Sequence, residues 1–118
     1  MGIDAGTSRV RVLLFEVDGT LVAEASDEPP VKRPRTGWAS TKAEDLWESC
    51  LKAIRSVVAI VEKPDRIRSV AVASVGESAV PINAEGDAVY PMIAWYDCRT
   101  RPQARWLKKH IGEERLFR

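Results

Sequence analysis

The chain has 118 residues, of which 45% are hydrophobic and 30% are charged, a composition typical of globular proteins that bury a core. The 18 basic residues nearly balance the 17 acidic ones, and the net charge of +1 gives no electrostatic reason to expect binding to nucleic acid or to a membrane surface. No stretch reaches the roughly 18 consecutive apolar residues of a transmembrane helix, so no membrane span is expected.

The first predicted elements are two strands behind a polar turn. The chain begins almost directly with the turn Asp4–Thr7, with almost no strand before it. Residues 10–16 are rich in strand-forming residues, and Val10, Val12 and Leu14 share one face. The dipeptide Asp18-Gly19 is typical of a hairpin turn, and a second strand is predicted to follow it. That second strand covers residues 20–25.

A loop and a long helix follow the hairpin. Residues 26–40 contain three prolines, which block regular structure, and the basic cluster Lys32–Arg35 within them is predicted to be a solvated loop. Thr41 and Glu44 have the spacing of a capping box. The helical period of the apolar residues predicts a helix over residues 42–62.

The second half of the chain contains further strand signals. Residues 67–75 are apolar with several β-branched residues, which predicts a largely buried central strand. Residues 79–82 and 88–90 flank a turn at 83–87, a second hairpin signal. Residues 92–95 are a short apolar strand candidate.

A last helix completes the predicted α/β fold. Thr100 is placed to cap this helix with Pro102 in its first turn, and Leu107 and Ile111 mark its inner face. Strands before and after a helix indicate a mixed sheet with flanking helices.

The cysteines and the histidine do not indicate a metal site. Cys50 and Cys98 form no C-x-x-C pair, and His110 has no partner at metal-ligand spacing, so zinc is not expected. Cys50 falls on the apolar face of the long helix and is predicted to be a reduced core residue. Two separate thiols without a signal peptide favour a cytoplasmic protein.

The opening turn has the residue types of a phosphate-binding site. A carboxylate, Asp4, is followed two residues later by Gly6, which lets the backbone turn tightly and approach a ligand. Amides, hydroxyls and guanidinium groups suit a phosphate chain, and the nearby carboxylate suits a Mg²⁺-bound water. A hairpin rather than a helix follows, which excludes a Walker-type P-loop. Taken alone, such a turn is more often an ordinary polar connection between strands.

Four segments together resemble the FGGY family of carbohydrate kinases, which belongs to the actin-like, ribonuclease H-like ATPase superfamily. The segments are Asp4-Ala5-Gly6-Thr7 with Arg11, Pro34–Ala39, Val72–Ser78 and Ile93–Arg99. Each is weak by itself, but their order and spacing cover essentially the whole chain. The resemblance implies the actin-like fold and ATP-dependent phosphorylation of a sugar, sugar acid or polyol, with the chain as the N-terminal part of the sugar-binding domain.

The resemblance also implies roles for individual residues. Asp4 would hold the Mg²⁺–ATP phosphates through water, and Arg11 would contact the nucleotide phosphates or stabilise the transferred group. The phosphate turn itself would be lined by Gly6, Thr7, Ser8 and Arg9.

A second set of residues would meet the sugar. Gly76 and Glu77 stand where related kinases bind substrate hydroxyls, and Glu77 would accept hydrogen bonds rather than act as the catalytic base. Trp95 would form an apolar wall of the pocket, or be a core tryptophan. Asp97 and Arg99 either pair with each other or reach the sugar. The other tryptophans, Trp38, Trp47 and Trp106, are expected in the core or at an interface.

The resemblance places the general base beyond residue 118, so no catalytic residue is expected in this chain. Both ends look cut from something longer, and the partners would be a small sugar or polyol and the remainder of the kinase, with homo-oligomerisation left open. The chain alone is expected to lack kinase activity. The alternatives are an actin- or Hsp70-like nucleotide-binding module, or an inactive truncated fragment. The sequence does not define which sugar is the substrate.

Overall fold

The computed structural model describes residues 1–116. Positions 117 and 118, at the end that the sequence suggests is cut from something longer, lie outside the described residues. Over residues 1–116 the chain forms six strands and three α-helices, with a 3₁₀ turn at Pro64–Arg66. In chain order these are β1 (Gly2–Ala5), β2 (Val10–Phe15), β3 (Leu21–Asp27), β4 (Ser40–Thr41), α1 (Ala43–Ile60), β5 (Ala71–Ser74), β6 (Met92–Ile93), α2 (Arg101–Ile111) and α3 (Glu113–Leu116).

The main sheet is mixed and has the strand order β3-β2-β1-β5. β2 is antiparallel to both β1 and β3, and the β2–β3 pair confirms the predicted hairpin. The register of this pair shifts between Leu14 and Phe15, beside the turn. β5 pairs with β1 in parallel. The prediction of almost no strand before the polar turn is wrong, because Gly2–Ala5 pairs with the nearby β2 on one side and with β5, far along the chain, on the other.

The core lies between one face of this sheet and α1. Val10 and Val12 are completely buried, as is Val57 on the facing side of the helix. This confirms the predicted inward face of β2 and the apolar stripe of α1. Cys50 is also buried there as a free thiol, as predicted. The packing of α1 holds the hairpin in place and so fixes the turn between β1 and β2.

The start of α1 differs from the predicted capping box. The residue that precedes the helix is Lys42, whose backbone is extended, and no side chain caps the first turn. Thr41 belongs instead to β4, where it pairs with Met92 and is buried. Strand pairing therefore holds Thr41 in place of the predicted cap.

The predicted central strand at residues 67–75 is shorter and exposed. β5 covers only Ala71–Ser74, has β1 as its one strand neighbour in the described part of the chain, and leaves Val72 67% exposed. The reason is that α1 covers β2 and β3 rather than this edge of the sheet. The predicted hairpin at residues 79–90 is reduced to a single bridge between Ile82 and Ala88 around its turn.

The last part of the chain is only loosely packed. β4 and β6 form a two-stranded ribbon, and α2 begins with Pro102 in its first turn as predicted, but Thr100 makes no side-chain cap. The predicted inner face of α2 is not buried within residues 1–116. Trp47 and Trp106 are both more than half exposed, so neither is a core residue within residues 1–116, and the predicted alternative of an interface stays a prediction. None of the helices within residues 1–116 has the length and apolar character to cross a membrane.

Candidate functional site

The turn between β1 and β2 is closed by its own backbone. The amide of Gly6 donates to the carbonyl oxygen of Arg9 over 3.1 Å. A Cβ atom at position 6 would lie 2.7 Å from that same oxygen, closer than real Cβ contacts occur. The tight turn therefore requires glycine at position 6, as the sequence predicts.

The side chains of the turn point in different directions. Thr7 is buried, whereas Ser8 is exposed. Arg9 Nη2 lies 2.7 Å from Glu28 Oε1, an exposed ion pair that engages the guanidinium group. Within this turn, the groups open to a ligand are thus the Ser8 hydroxyl and the backbone.

Asp4 and Arg11 are neighbours across the first strand pair. Their Cα atoms are directly opposite in the register of β1 and β2, and both side chains are exposed. Among the described residues neither side chain forms an ion pair or a hydrogen bond with another group of the chain. A carboxylate and a guanidinium group are therefore available side by side on one face of the sheet.

The strand β5 brings a second loop to the same edge of the sheet. Ser74 lies opposite Ala5 in the parallel pair, and its hydroxyl donates to the Ala5 carbonyl oxygen over 3.2 Å. Parallel strands end at the same edge, so the segment after Ser74 leaves the sheet beside the turn after Ala5. The structure thus juxtaposes the polar turn with Gly76 and Glu77, both of which are exposed.

Ser78, in this second loop, has an unusual environment. Its hydroxyl is buried but has no hydrogen-bond partner among residues 1–116. A buried polar group without a partner costs about 1–3 kcal/mol. The position therefore favours a partner from outside the described chain. Position 76 is sterically open, since nothing lies within 4 Å of a Cβ atom placed there.

A separate group of residues is organised around the buried carboxylate of Asp97. Oδ2 accepts hydrogen bonds from the Ala39 amide at 2.6 Å and from Arg99 Nη2 at 2.8 Å, while Oδ1 accepts from the Arg99 amide at 2.7 Å. The hydrogen bonds from the Arg99 side chain lower the pKa of Asp97 from 3.8 to about 2, with further lowering by the two amides. The pairing that the sequence left open is thus present.

Trp38 joins this group through stacking. The Arg99 guanidinium carbon lies 4.2 Å from the centre of the Trp38 ring, and that of Arg35 lies 5.1 Å away. The Arg99 side chain also donates to the Tyr90 hydroxyl over 3.3 Å. Arg99 therefore holds the Trp38 ring and also neutralises Asp97. The contact with Trp38 connects residues that are 61 positions apart in the chain.

Trp95 is more than half exposed, with 62% of its surface accessible. Its ring packs edge-on against Tyr96, with the ring centres 5.4 Å apart. The exposed face of Trp95 can serve as a wall for a ligand, and the alternative of a core tryptophan is not observed in the described chain.

The predicted site residues thus fall into two groups. The first contains the turn and the loop after β5, and the second contains Trp95, Asp97 and Arg99, which Trp38 joins by stacking. Among residues 1–116, no hydrogen bond or ion pair connects one group to the other. Sequence reasoning missed Ser74 as the residue that ties β5 to β1, and no local pattern marks it because the bond spans 69 positions.

The side chains of the first group would bind a metal ion only if a bound ligand supplied further donor atoms. No cluster of three or more metal-ligating side chains occurs in the part of the chain that the structure describes. Mg²⁺ bound with a nucleotide needs only one or two protein carboxylates besides the phosphates and water. Asp4, exposed and unpaired within residues 1–116, fits this role.

Comparison with known proteins identifies relatives. The chain matches the family model of the FGGY family of carbohydrate kinases, N-terminal domain, over residues 1–118. It is 29% identical over 119 residues to a glycerol kinase of Gluconobacter oxydans, an alignment that covers 100% of this chain and 23% of that protein. The chain therefore spans about a quarter of the length of this relative.

Solved structures agree in fold. A sugar kinase from Brucella ovis is 28% identical with a TM-score of 0.87, and the match covers 94% of this chain and 24% of that one. A glycerol kinase from Plasmodium falciparum, solved with ADP, is 15% identical with a TM-score of 0.77, covering 93% of this chain and 24% of that one. The second match shows the fold alone, and both place the chain in the actin-like architecture expected from its motifs.

Proposed function

This chain belongs to the FGGY family of carbohydrate kinases, and we propose that it supplies two parts of a kinase active site. These parts are the phosphate-binding turn and part of the sugar pocket. The enzyme would transfer the γ-phosphoryl group of ATP to a hydroxyl of a sugar, sugar acid or polyol. The chain would form the N-terminal part of the sugar-binding domain. The observation that carries the proposal is the parallel pairing of β1 with β5, because it brings the turn and the loop after Ser74 to one edge of the sheet. Phosphoryl transfer needs both reactants held in line.

The phosphates would bind at the turn. The exposed hydroxyl of Ser8 and the backbone of the turn would face the phosphate chain, while Gly6 keeps the turn tight and Thr7 is buried beneath it. Arg11 would contribute its guanidinium group, which has no partner within residues 1–116, and Asp4 would hold Mg²⁺ through water. Arg9 would support the turn through Glu28 while lining it. The ADP in the Plasmodium falciparum relative supports a nucleotide as the ligand.

The sugar would bind at the loop after β5. Glu77 is exposed and offers two carboxylate oxygens to substrate hydroxyls, and Gly76 leaves room for the ligand. The unpartnered hydroxyl of Ser78 gives this loop one more group that a polyol could satisfy. Trp95 would form an apolar wall. Asp97 and Arg99 would shape the pocket rather than touch the sugar, because they are occupied by each other.

The remaining parts of the reaction would come from elsewhere. The general base that deprotonates the attacking hydroxyl, and most adenine contacts, are proposed to lie outside residues 1–118, so this chain would act with further polypeptide of the kinase. The free thiols of Cys50 and Cys98 favour a reducing compartment such as the cytoplasm.

Calorimetric titration with MgADP tests the proposal. We expect Asp4→Asn and Arg11→Gln each to weaken binding about tenfold or more, because each removes a contact between charged groups. The matched controls are Asp65→Asn and Arg55→Gln, which make the same charge changes at exposed positions outside the site. Equal binding by the wild-type chain and both site variants would refute the phosphate role of the turn.

A further inference from the structure

The loop before β4 leaves the basic cluster Lys32–Arg35 exposed, and the two arginines of this cluster line a cleft. A cleft of about 330 Å³ opens between the segment from Arg33 to Ala39 and the ring of Tyr96. That volume lies at the lower end of the roughly 300–1,000 Å³ of small-molecule pockets. No acidic residue lines it. The proposed function makes no use of this cleft, which is called the arginine cleft below.

The arginine cleft contains two positive charges that the described chain does not neutralise. The ion pairs within residues 1–116 leave Arg33 and Arg35 without a carboxylate partner. The carboxylate of Asp97, which accepts a hydrogen bond from the Ala39 amide of this loop, is also paired with Arg99. An anion in the cleft would therefore meet two available guanidinium groups and no competing negative charge.

Both guanidinium groups are positioned by aromatic rings. Arg33 Nη2 donates to the Tyr96 hydroxyl over 3.4 Å, and the Tyr96 ring is itself held edge-on by Trp95. Arg35 lies over the Trp38 ring, whose position is fixed by Arg99. A guanidinium group that lies over a ring, as that of Arg35 does, keeps its N–H donors free for a planar acceptor, and the Arg33 guanidinium group uses one N–H on the Tyr96 hydroxyl and keeps the others.

The floor of the cleft is rigid. The Trp38 amide donates to the Arg35 carbonyl oxygen over 3.0 Å, and the Cys98 amide donates to the Gly37 carbonyl oxygen over 2.9 Å. Gly37 has a φ of +77°, and a Cβ atom there would lie 2.3 Å from Cys98 Sγ. These two hydrogen bonds and the requirement for glycine at position 37 fix the backbone from Arg35 to Trp38 before any ligand binds.

From this geometry we propose that the arginine cleft binds an oxyanion group, a carboxylate or a phosphate, carried by a sugar-sized molecule. Guanidinium groups bind both groups through paired N–H donors. The cleft shares Tyr96 with the Trp95 wall, which places the anion next to the proposed sugar pocket. The proposal does not depend on the phosphate turn, since none of the residues of the turn lines the cleft.

The experiment is an amide-resolved NMR titration of the chain with gluconate, glucitol and glucose 6-phosphate. Gluconate and glucitol differ in charge but share a polyol chain, and the two anions distinguish a carboxylate from a phosphate. We expect the anions, and not glucitol, to shift the signals of residues 33–39 and Tyr96. Whichever anion binds more tightly identifies the preferred group.

Variants separate specific binding from general attraction. Arg33→Gln and Arg35→Gln should each weaken anion binding about tenfold, and Arg55→Gln, which removes the same charge from the exposed side of α1, should leave it unchanged. Equal shifts with glucitol and gluconate would overturn the proposal, as would undiminished anion binding in both cleft variants. Loss of MgADP binding at the turn, by contrast, would count only against the proposed function.

Discussion

At the scale of single residues, the space beside the backbone decides which positions require glycine. Gly6 and Gly37 each lie where a Cβ atom would overlap another atom, whereas Gly2 and Gly76 have open space around the same position. The sequence predicts the requirement at Gly6 from the tight turn that a phosphate needs. It does not predict the requirement at Gly37, because the contact with Cys98 comes from a segment 61 positions away.

Replacing Gly6 by alanine should destabilise the fold. The added methyl group would overlap the Arg9 carbonyl oxygen, a backbone atom that cannot move alone, so a loss of about 1–3 kcal/mol in the free energy of unfolding is expected. Gly2→Ala in β1 is the control and should change stability by less than about 0.5 kcal/mol. Urea denaturation measures both, and equal stability of the two variants would contradict the clash.

The buried carboxylate of Asp97 makes a pH-dependent contribution to stability. Its pKa is lowered in the folded chain to about 2, so its contribution is complete above the ordinary value of 3.8 and is lost as the pH falls through about 2. Asp97→Asn should therefore be less stable than the wild-type chain at neutral pH, and the difference should shrink between about pH 4 and pH 2. Urea denaturation of both chains across this range measures it. A difference that stays constant with pH would show that the charge of Asp97 is irrelevant.

The residues of the candidate site were only partly predictable. Asp4 and Gly6 are recognisable because their roles follow from the local turn. The sequence could not decide between pairing and sugar contact for Asp97 and Arg99, because a spacing of two residues does not show whether the side chains meet. The Ala39 amide, which also holds the Asp97 carboxylate, comes from 58 positions earlier. The sequence left Trp47 as a core or interface residue for a related reason, since helical periodicity alone does not show which part of an apolar face the sheet covers.

At the scale of elements, the hairpin and α1 form the stable part of the molecule. Val57 is fully buried against the sheet, so Val57→Ala should cost about 2 kcal/mol in unfolding free energy, combining lost burial with a cavity. Ile60→Ala, at the exposed end of the same helix, removes more atoms and should cost less than about 0.5 kcal/mol. Chemical denaturation would contradict this packing if the Ile60 variant proved the less stable of the two.

Elements held by local pattern were predicted well, and elements held by distant pairing were not. The periodicity of α1 and the alternation in β2 are properties of single segments. β1 lacks such a pattern, because its four residues become a strand through pairing with β2 on one side and with β5, almost 70 positions later, on the other. The predicted capping box failed for the same reason, since Thr41 is held by its pairing with Met92.

At the scale of the whole molecule, the turn after β1 and the loop after β5 lie at one edge of the main sheet. The chain spans about a quarter of the length of its curated relatives. We expect the 118-residue chain, given MgATP and a panel of sugars, sugar acids and polyols, to form no sugar phosphate, because the general base is proposed to lie outside it. A coupled assay for ADP release measures this. Turnover at the rate of a typical kinase, about 1–100 s⁻¹, would show that the chain holds a complete active site.

The central claim is that the turn after β1 and the loop after β5 form one ligand-binding edge. The most direct measurement is paramagnetic broadening of amide NMR signals by Mn²⁺–ADP, with Mn²⁺ in place of Mg²⁺. We expect selective broadening at residues 4–9 and 74–78, little effect on α2, and loss of the pattern in Asp4→Asn. Broadening centred on α2, or an unchanged pattern in Asp4→Asn, would contradict the central claim.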